Sequence, residues 1–209
     1  TPRAATARGA VILSGGSVNS PQLLELSGIG QGGLLQQHGI AVQRELPGVG
    51  ENLQDHLQVR LVYKVANTRT LNLRANSLLG KAAMGLEYAL FKTGPLTMSP
   101  SQLGAFAKSD PSKETANLQY HIQPLSTDKL GEDLHPFEAF TASVCNLRPM
   151  SRGVSHIRDA SHRSAPVIAP GYLSAPEDRR IAAEGIRLTR RICAQPALAK
   201  YQPEEFKPG

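Results

Sequence analysis

The sequence predicts an α+β fold: an antiparallel β-sheet flanked by helices, preceded by a short α/β piece. Three observations predict it. Ala10-Val11-Ile12-Leu13 is an apolar run closed by Ser14-Gly15-Gly16 and followed by a helical stretch that ends at Gly28. Strand, glycine turn and helix in that order belong to α/β layers. Leu57, Val59, Leu61, Tyr63 and Val65 alternate with Gln58, Arg60 and Lys64, the period of a half-buried strand, with Val62 as the exception. Connections between several of the strand-like runs reach ten residues or more, which argues against a tight meander.

The elements follow in order. Residues 10–13 read as a buried strand. Ser20 before Pro21 reads as an N-cap with proline at the first helical position, and Leu23, Leu24 and Leu26 carry the helix to Gly28. Leu34, Leu35 and Ile40 mark a second short helix and a turn, and Leu46 to Gly50 a loop. After the alternating strand, Asn76-Ser77 can cap a helix with Leu79, Ala83, Leu86 and Leu90 on one stripe, stopped by Gly94-Pro95. Residues 103–108, 118–124, 140–147 and 154–157 read as strands. Ser174-Ala175-Pro176-Glu177 is a capping box, opening a helix that sets Ile181, Gly185, Leu188 and Ile192 on one face and Arg180, Arg187 and Arg191 on another. The domain boundary falls near residue 57, with residues 1–57 in the first domain and 58–209 in the second.

Composition narrows the classes. Hydrophobic residues make up 40% and charged residues 19%, which is globular rather than disordered. The net charge is +6, but aromatics are 5%, Trp is absent and the basic residues are scattered. A nucleic-acid surface would cluster them with aromatics, so no nucleic-acid partner is expected. The one dense group, Arg179, Arg180, Arg187, Arg190 and Arg191, reads as a solvated helix face. Cys145 and Cys193 stand apart with no CxxC spacing, so no metal site is expected; two buried free thiols are expected, with one disulfide as the alternative. No apolar run reaches the roughly 18 residues of a membrane span. The start at Thr1 and the end at Pro208-Gly209 both read as cuts through a longer protein.

Several runs carry a resemblance. Gly16-Ser17-Val18-Asn19-Ser20-Pro21-Gln22-Leu23-Leu24-Glu25-Leu26-Ser27-Gly28-Ile29-Gly30 resembles the second signature of the glucose–methanol–choline (GMC) oxidoreductases. Leu46-Pro47-Gly48-Val49-Gly50-Glu51-Asn52-Leu53-Gln54-Asp55-His56 is similar to that family's PGVGxNLxDH segment, and Arg148 to Gly153 to its RPxSRG turn. Pro170-Gly171-Tyr172-Leu173-Ser174 resembles its PNYL segment, with Gly171 where Asn is common. The order is the family's throughout. The resemblance implies that residues 1–57 are part of an FAD-binding domain and that 58–209 are a substrate-binding domain incomplete at its C-terminus.

The resemblance also implies chemistry. A GMC enzyme oxidises an alcohol to a carbonyl by hydride transfer to FAD while a histidine takes the hydroxyl proton. The main GxGxxG flavin loop and that histidine are expected outside this chain. No residue here is therefore assigned as catalytic, and the chain alone is expected to be inactive and to bind flavin weakly or not at all. The resemblance implies that Ser14, Gly15, Gly16 and Ser17 lie near the adenosine half of FAD; the local physics agrees, since glycines let backbone approach a ligand and a helix N-terminus favours an anion, although a plain strand-to-helix turn would look the same. Asn52 and Asp55 are assigned to the cofactor too, although Asn and Asp also serve as local loop bonders. Gln119, His121 and Gln123 share one strand face, which is either a solvent face or the polar lining of the substrate cavity; His121 is assigned to substrate. Ser99, Ser101 and Gln102 lie in the segment expected beside the flavin. Choline-type members carry Glu near Gln102, so the amide implies a neutral alcohol over choline. The competing reading is a binding module that keeps this fold without redox chemistry. Cytoplasmic placement, or a place at the bacterial inner-membrane surface, is expected; the sequence names no electron acceptor.

Overall fold

The computed structural model describes residues 4, 6–99, 101–129 and 131–209. In chain order the elements are α1 (Gly16–Leu26), β1 (Ile29–Gly30), α2 (Gly32–Gln37), β2 (Arg44–Glu45), β3 (Gln58–Lys64), α3 (Leu71–Asn76) and α4 (Leu78–Phe91). A 3-10 turn at Pro95–Thr97 precedes β4 (Leu103–Ala107), β5 (Leu118–Gln123), β6 (Ala139–Asn146), β7 (Val154–His156) and β8 (Val167–Ala169). The chain finishes with α5 (Pro176–Cys193), α6 (Pro196–Ala199) and β9 (Glu204–Lys207). It divides into two compact units: one runs up to Asp55 and takes in Met150–Ala175, the other holds His56–Pro149 and Pro176–Gly209. The sequence places 150–175 with the second domain. Backbone bonds draw that segment to the first: Leu53 and Gly153 exchange N–H···O bonds of 2.9 and 2.8 Å, and the Ser155 N–H donates to Gly50 O at 2.7 Å.

In the first unit, α1 begins earlier than its proline predicts. Gly16 at φ +81° opens the helix, and Ser20 sits a turn inside, its Oγ accepting from the Gly15 N–H at 3.0 Å. That return bond ties down the turn that precedes Pro21, which has no N–H of its own to offer. Residues 10–13 form no strand, and Val11, Ile12 and Leu13 are exposed. A strand needs a ladder, and among the described residues none runs beside them. Short β1 and β2 pair in parallel, and β7 pairs antiparallel with β8.

The second unit is a five-stranded antiparallel sheet in the order β4-β5-β6-β3-β9. One face buries Leu61 and Tyr63 of β3, Leu118 and Tyr120 of β5 and Val144 of β6 against Ile181 and Cys193 of α5. At Gly185 a Cβ would stand 3.2 Å from Val144 Cγ2, so the glycine sets how closely α5 approaches β6. The buried stripe of α5 is Ile181, Gly185, Thr189 and Cys193, rotated from the expected one; Ile192 is exposed. Thr189 can be buried because its Oγ1 donates to Gly185 O at 2.8 Å, satisfying the hydroxyl within the helix. Both cysteines are free and buried, and burial pushes both thiols up, away from the thiolate. Loop 124–138 is pinned by Asn72, fully buried, whose Nδ2 donates to Ser126 Oγ, His135 O and Phe137 O while its Oδ1 accepts from the Ser126 N–H.

The helix α4 meets the expected cap, Ser77 Oγ accepting from the Gly80 N–H at 3.3 Å. Its apolar stripe does not meet a core. Leu79, Leu86 and Leu90 are exposed and Met84 alone is buried.

Candidate functional site

Antiparallel pairing fixes which side chains share a face. Across the second unit's sheet the register aligns Arg60 of β3 with Ser143 of β6, Ser143 with His121 of β5, and His121 with Gly104 of β4. The row on one side is Val62, Thr141 and Gln123; the row on the other is Gln58, Cys145, Gln119 and Phe106. These residues alternate with the core-facing set, so they form the face turned away from α5. That face is polar at its centre. Arg60 Nη2 and Gln123 Oε1 are buried there with no hydrogen-bond partner among the described residues. At Gly104 an added Cβ would meet only Tyr120 O, at 3.6 Å, so the space beside His121 is open.

The assigned substrate residues converge on this face in part. The Gln102 N–H donates to Ile122 O at 3.0 Å, and the register one step on sets Gln102 opposite Gln123. Its side-chain Nε2 donates to Met98 Sδ at 3.1 Å, and the residue lines a cavity of about 900 Å³ with Leu73, Arg74, Met98 and Glu138. Ser101 Oγ accepts from Gln123 Nε2 at 3.5 Å. His121 is half-buried and does not line that cavity, and Ser99 is exposed. On the opposite face, an apolar cavity of about 440 Å³ is walled by Ile122, Phe140 and Ile192 among others, so the two faces differ chemically. The parity of Gln58, Arg60 and Lys64 marked Arg60 as off the core. Alternation in 140–147 would have found Thr141 and Ser143 as well, but small hydroxyl residues read equally as core or face.

In the first unit the glycine turn is open. Ser14, Gly15, Gly16 and Ser17 are exposed, no side chain caps the first turn of α1, and an added Cβ at Gly16 would meet nothing within 4 Å. The loop to Asp55 is held otherwise. Asp55 accepts from the Tyr172 hydroxyl, a bond that pushes the tyrosine pKa up; Asn52 is exposed at φ +59°. Those contacts are internal loop bonds.

Sequence reasoning missed the most buried polar group here. Glu25, wholly buried in α1, receives His156 at 2.7 Å and the Ile157 N–H at 2.8 Å. The far nitrogen of His156 stands 3.2 Å from Glu51, which also accepts from Gln31 Nε2 at 2.6 Å. The signal was a carboxylate among Leu24, Leu26 and Ile29, where a solvent residue is equally common. Among the described residues no group of His, Cys, Asp and Glu is arranged to hold a metal ion, and no helix is long and apolar enough to cross a membrane.

Comparison with known proteins adds the following. Residues 1–58 match the N-terminal model, and residues 149–209 the C-terminal model, of the family described as GMC oxidoreductase. An alcohol dehydrogenase [acceptor] of Pseudomonas putida is 41% identical over 98% of this chain and 37% of its own length. An oxygen-dependent choline dehydrogenase of Photobacterium profundum is 41% identical over 95% of this chain and 35% of its own. The chain thus spans little more than a third of the relatives it matches. Among solved structures, an Aspergillus oryzae formate oxidase superposes with a TM-score of 0.80 at 22% identity, covering 96% of this chain and 40% of that one. A fungal aryl-alcohol oxidase gives 0.75 at 21% identity over 98% and 41%.

Proposed function

We propose, on the footing that this chain belongs to the GMC oxidoreductase family, that it is part of a longer FAD-dependent enzyme that oxidises an alcohol to a carbonyl. In that reading residues 1–57 contribute to the flavin domain, and residues 58–209 supply much of the substrate wall. The small-molecule partner is the alcohol. Placement in the cytoplasm or at the inner-membrane surface belongs to the same reading.

The supporting observation is the polar sheet face. A buried polar atom without a partner costs about 1–3 kcal/mol, so Arg60 Nη2 and Gln123 Oε1 mark a surface still owed partners. His121, in the same register row as Arg60, two residues from Gln123 on β5 and beside the open space at Gly104, is the residue placed to hold an alcohol hydroxyl. Ser101 orients Gln123, and Gln102 borders the approach with Ser99 nearby. Nothing here serves as the proton acceptor, which we assign to the part of the enzyme outside this chain.

The residues present fit FAD at the glycine turn. The uncapped start of α1 offers backbone N–H groups, and Gly16 leaves room for an anionic group to reach them. Ser14 and Ser17 can add hydroxyl donors, while Asn52 and Asp55 would act through the loop they hold. Bound FAD would supply the acceptor for the hydride of the alcohol carbon. One glycine turn makes few contacts, so the isolated chain is expected to bind free flavin weakly or not at all; a stoichiometric complex of about micromolar Kd or tighter, about −8 kcal/mol, would contradict this.

The test of function is kinetic, on the complete enzyme. We expect alcohol to reduce it anaerobically, with kcat/KM higher for a neutral aliphatic alcohol than for choline. A carboxylate at Gln102 would supply an ion pair worth about 4 kcal/mol at about 4 Å and an effective dielectric near 20, before desolvation. Gln102→Glu should therefore shift the ratio toward choline, and His121→Ala should raise KM by about tenfold for loss of a hydrogen bond of about 1.4 kcal/mol. No reduction by any alcohol would favour the non-catalytic binding module. A choline preference untouched by Gln102→Ala would remove Gln102 from the site.

A further inference from the structure

The exposed side of α4 lies outside the site described above. At about 100° per residue, Leu78, Leu79, Ala82, Ala83, Leu86 and Leu90 fall within an arc of about 140°. No charged residue shares that arc. Leu78 is 85% exposed, Leu79 83%, Leu86 60% and Leu90 64%. Leu96, just beyond the helix, is exposed too. A contiguous apolar surface of this kind marks an interaction surface.

Charge decides among occupants. From Arg69 to Thr93 there are four basic residues, Arg69, Arg74, Lys81 and Lys92, and one acid, Glu87. Glu87 is held by Arg74 at 2.9 Å, which leaves Lys81 and Lys92 as the exposed charges of the helix and its cap. On the helical wheel both lie past the Leu78 edge of the stripe. Lys92 caps the helix in the left-handed region and sets its Nζ over the Tyr88 ring at 4.7 Å. A leucine stripe with lysines past one edge describes a helix lying in a membrane interface. A second copy packed antiparallel, stripe against stripe, would bring the lysine rows together, with Glu87 held by Arg74.

We propose that α4 lies in the plane of an anionic phospholipid surface, its leucine stripe in the acyl boundary and Lys81 and Lys92 at the phosphates. Length is no obstacle, because such a helix rests on the bilayer rather than spanning it.

The test is vesicle flotation of the 209-residue chain and of the complete enzyme. We expect both to float with vesicles of phosphatidylcholine containing about 30% phosphatidylglycerol, and to bind about thirtyfold more weakly to pure phosphatidylcholine, since each of the two lysines at an anionic surface contributes about 1 kcal/mol. Salt at about 0.5 M should release much of the binding. Leu79→Glu with Leu86→Glu should abolish flotation, and Lys81→Glu with Lys92→Glu should reduce it to the neutral-vesicle level. Because these side chains are exposed, circular dichroism and Tm should match the unsubstituted protein. Three results would each overturn the proposal. They are no flotation of a folded, monomeric chain, lipid-free self-association removed by the leucine substitutions, and flotation of the chain but not of the complete enzyme, which would show that the rest of that enzyme covers α4.

Discussion

Replacing His156 with alanine is expected to destabilise the first unit by about 3–5 kcal/mol, the usual cost of removing one partner from a buried ionisable pair. Glu25 has no exposed surface, and without the imidazole it keeps only the Ile157 N–H as a donor among the described residues. The carboxylate cannot reach water in place. Glu25→Gln should cost less, because the amide keeps an acceptor for Ile157 and gives up the charge. Glu25→Leu combined with His156→Ala should recover part of the loss, since removing both partners leaves no orphaned charge. Urea unfolding of the three variants measures this. A loss below about 1 kcal/mol for His156→Ala would mean the pair is not what holds α1 to β7.

Gly153→Ala is the second large effect. A Cβ there would stand 2.2 Å from Ala169 O, 2.4 Å from Pro170 C and 2.5 Å from Pro170 Cα. All three are backbone atoms, so no side chain can swing aside. The strand pair β7–β8 must open or the paired bonds between Leu53 and Gly153 must stretch. Overpacking costs about 1–3 kcal/mol when side chains can yield, and the upper end or more is expected here. Hydrogen exchange at the Gly153 and Leu53 amides should rise sharply in the variant. Unchanged protection at both would show that the backbone relaxes freely. Gly85→Ala, where nothing lies within 4 Å of the added carbon, is the control.

How far the sequence carries depends on whether a signal is local. Alternation located β3, and the strand-like runs located β4, β5 and β6, to within a residue or two, because these signals are written in neighbouring letters. Ser77 was recognisable as a cap for the same reason. Ala10-Val11-Ile12-Leu13 misled because an apolar run states a wish for burial and says nothing of a partner; the ladder is a non-local fact. The stripe of α4 misled likewise, its periodicity defining a face without saying what the face meets. Short strands β8 and β9 carry too few residues for any period to show.

The candidate site divides along the same line. His121, Gln119 and Gln123 were legible as one face of one strand. Joining them to Arg60 and Ser143 needed the register between strands about 60 and 20 residues away, which hydrophobic pattern alone does not specify here. Glu25 and His156 are 131 positions apart, and neither has a neighbour that announces the other. The family resemblance supplied what residue-by-residue reading could not: the cofactor, and the direction in which the polar face would be used.

The strand order of the second unit has a consequence in time. β4, β5 and β6 follow one another along the chain and can pair as they emerge from the ribosome, while β3, made first, must wait for β6 and then for β9 at residues 204–207 to cover its other edge. Until β9 is made, Leu61 and Tyr63 therefore belong to an edge strand, and the α5 residues that bury them follow more than 100 residues later in the chain. Long-range closures of this kind slow folding. Translation speed, chaperone capture and growth temperature should thus govern how much of this protein a cell accumulates, and a pause placed after residue 146 should matter more than one placed before residue 58.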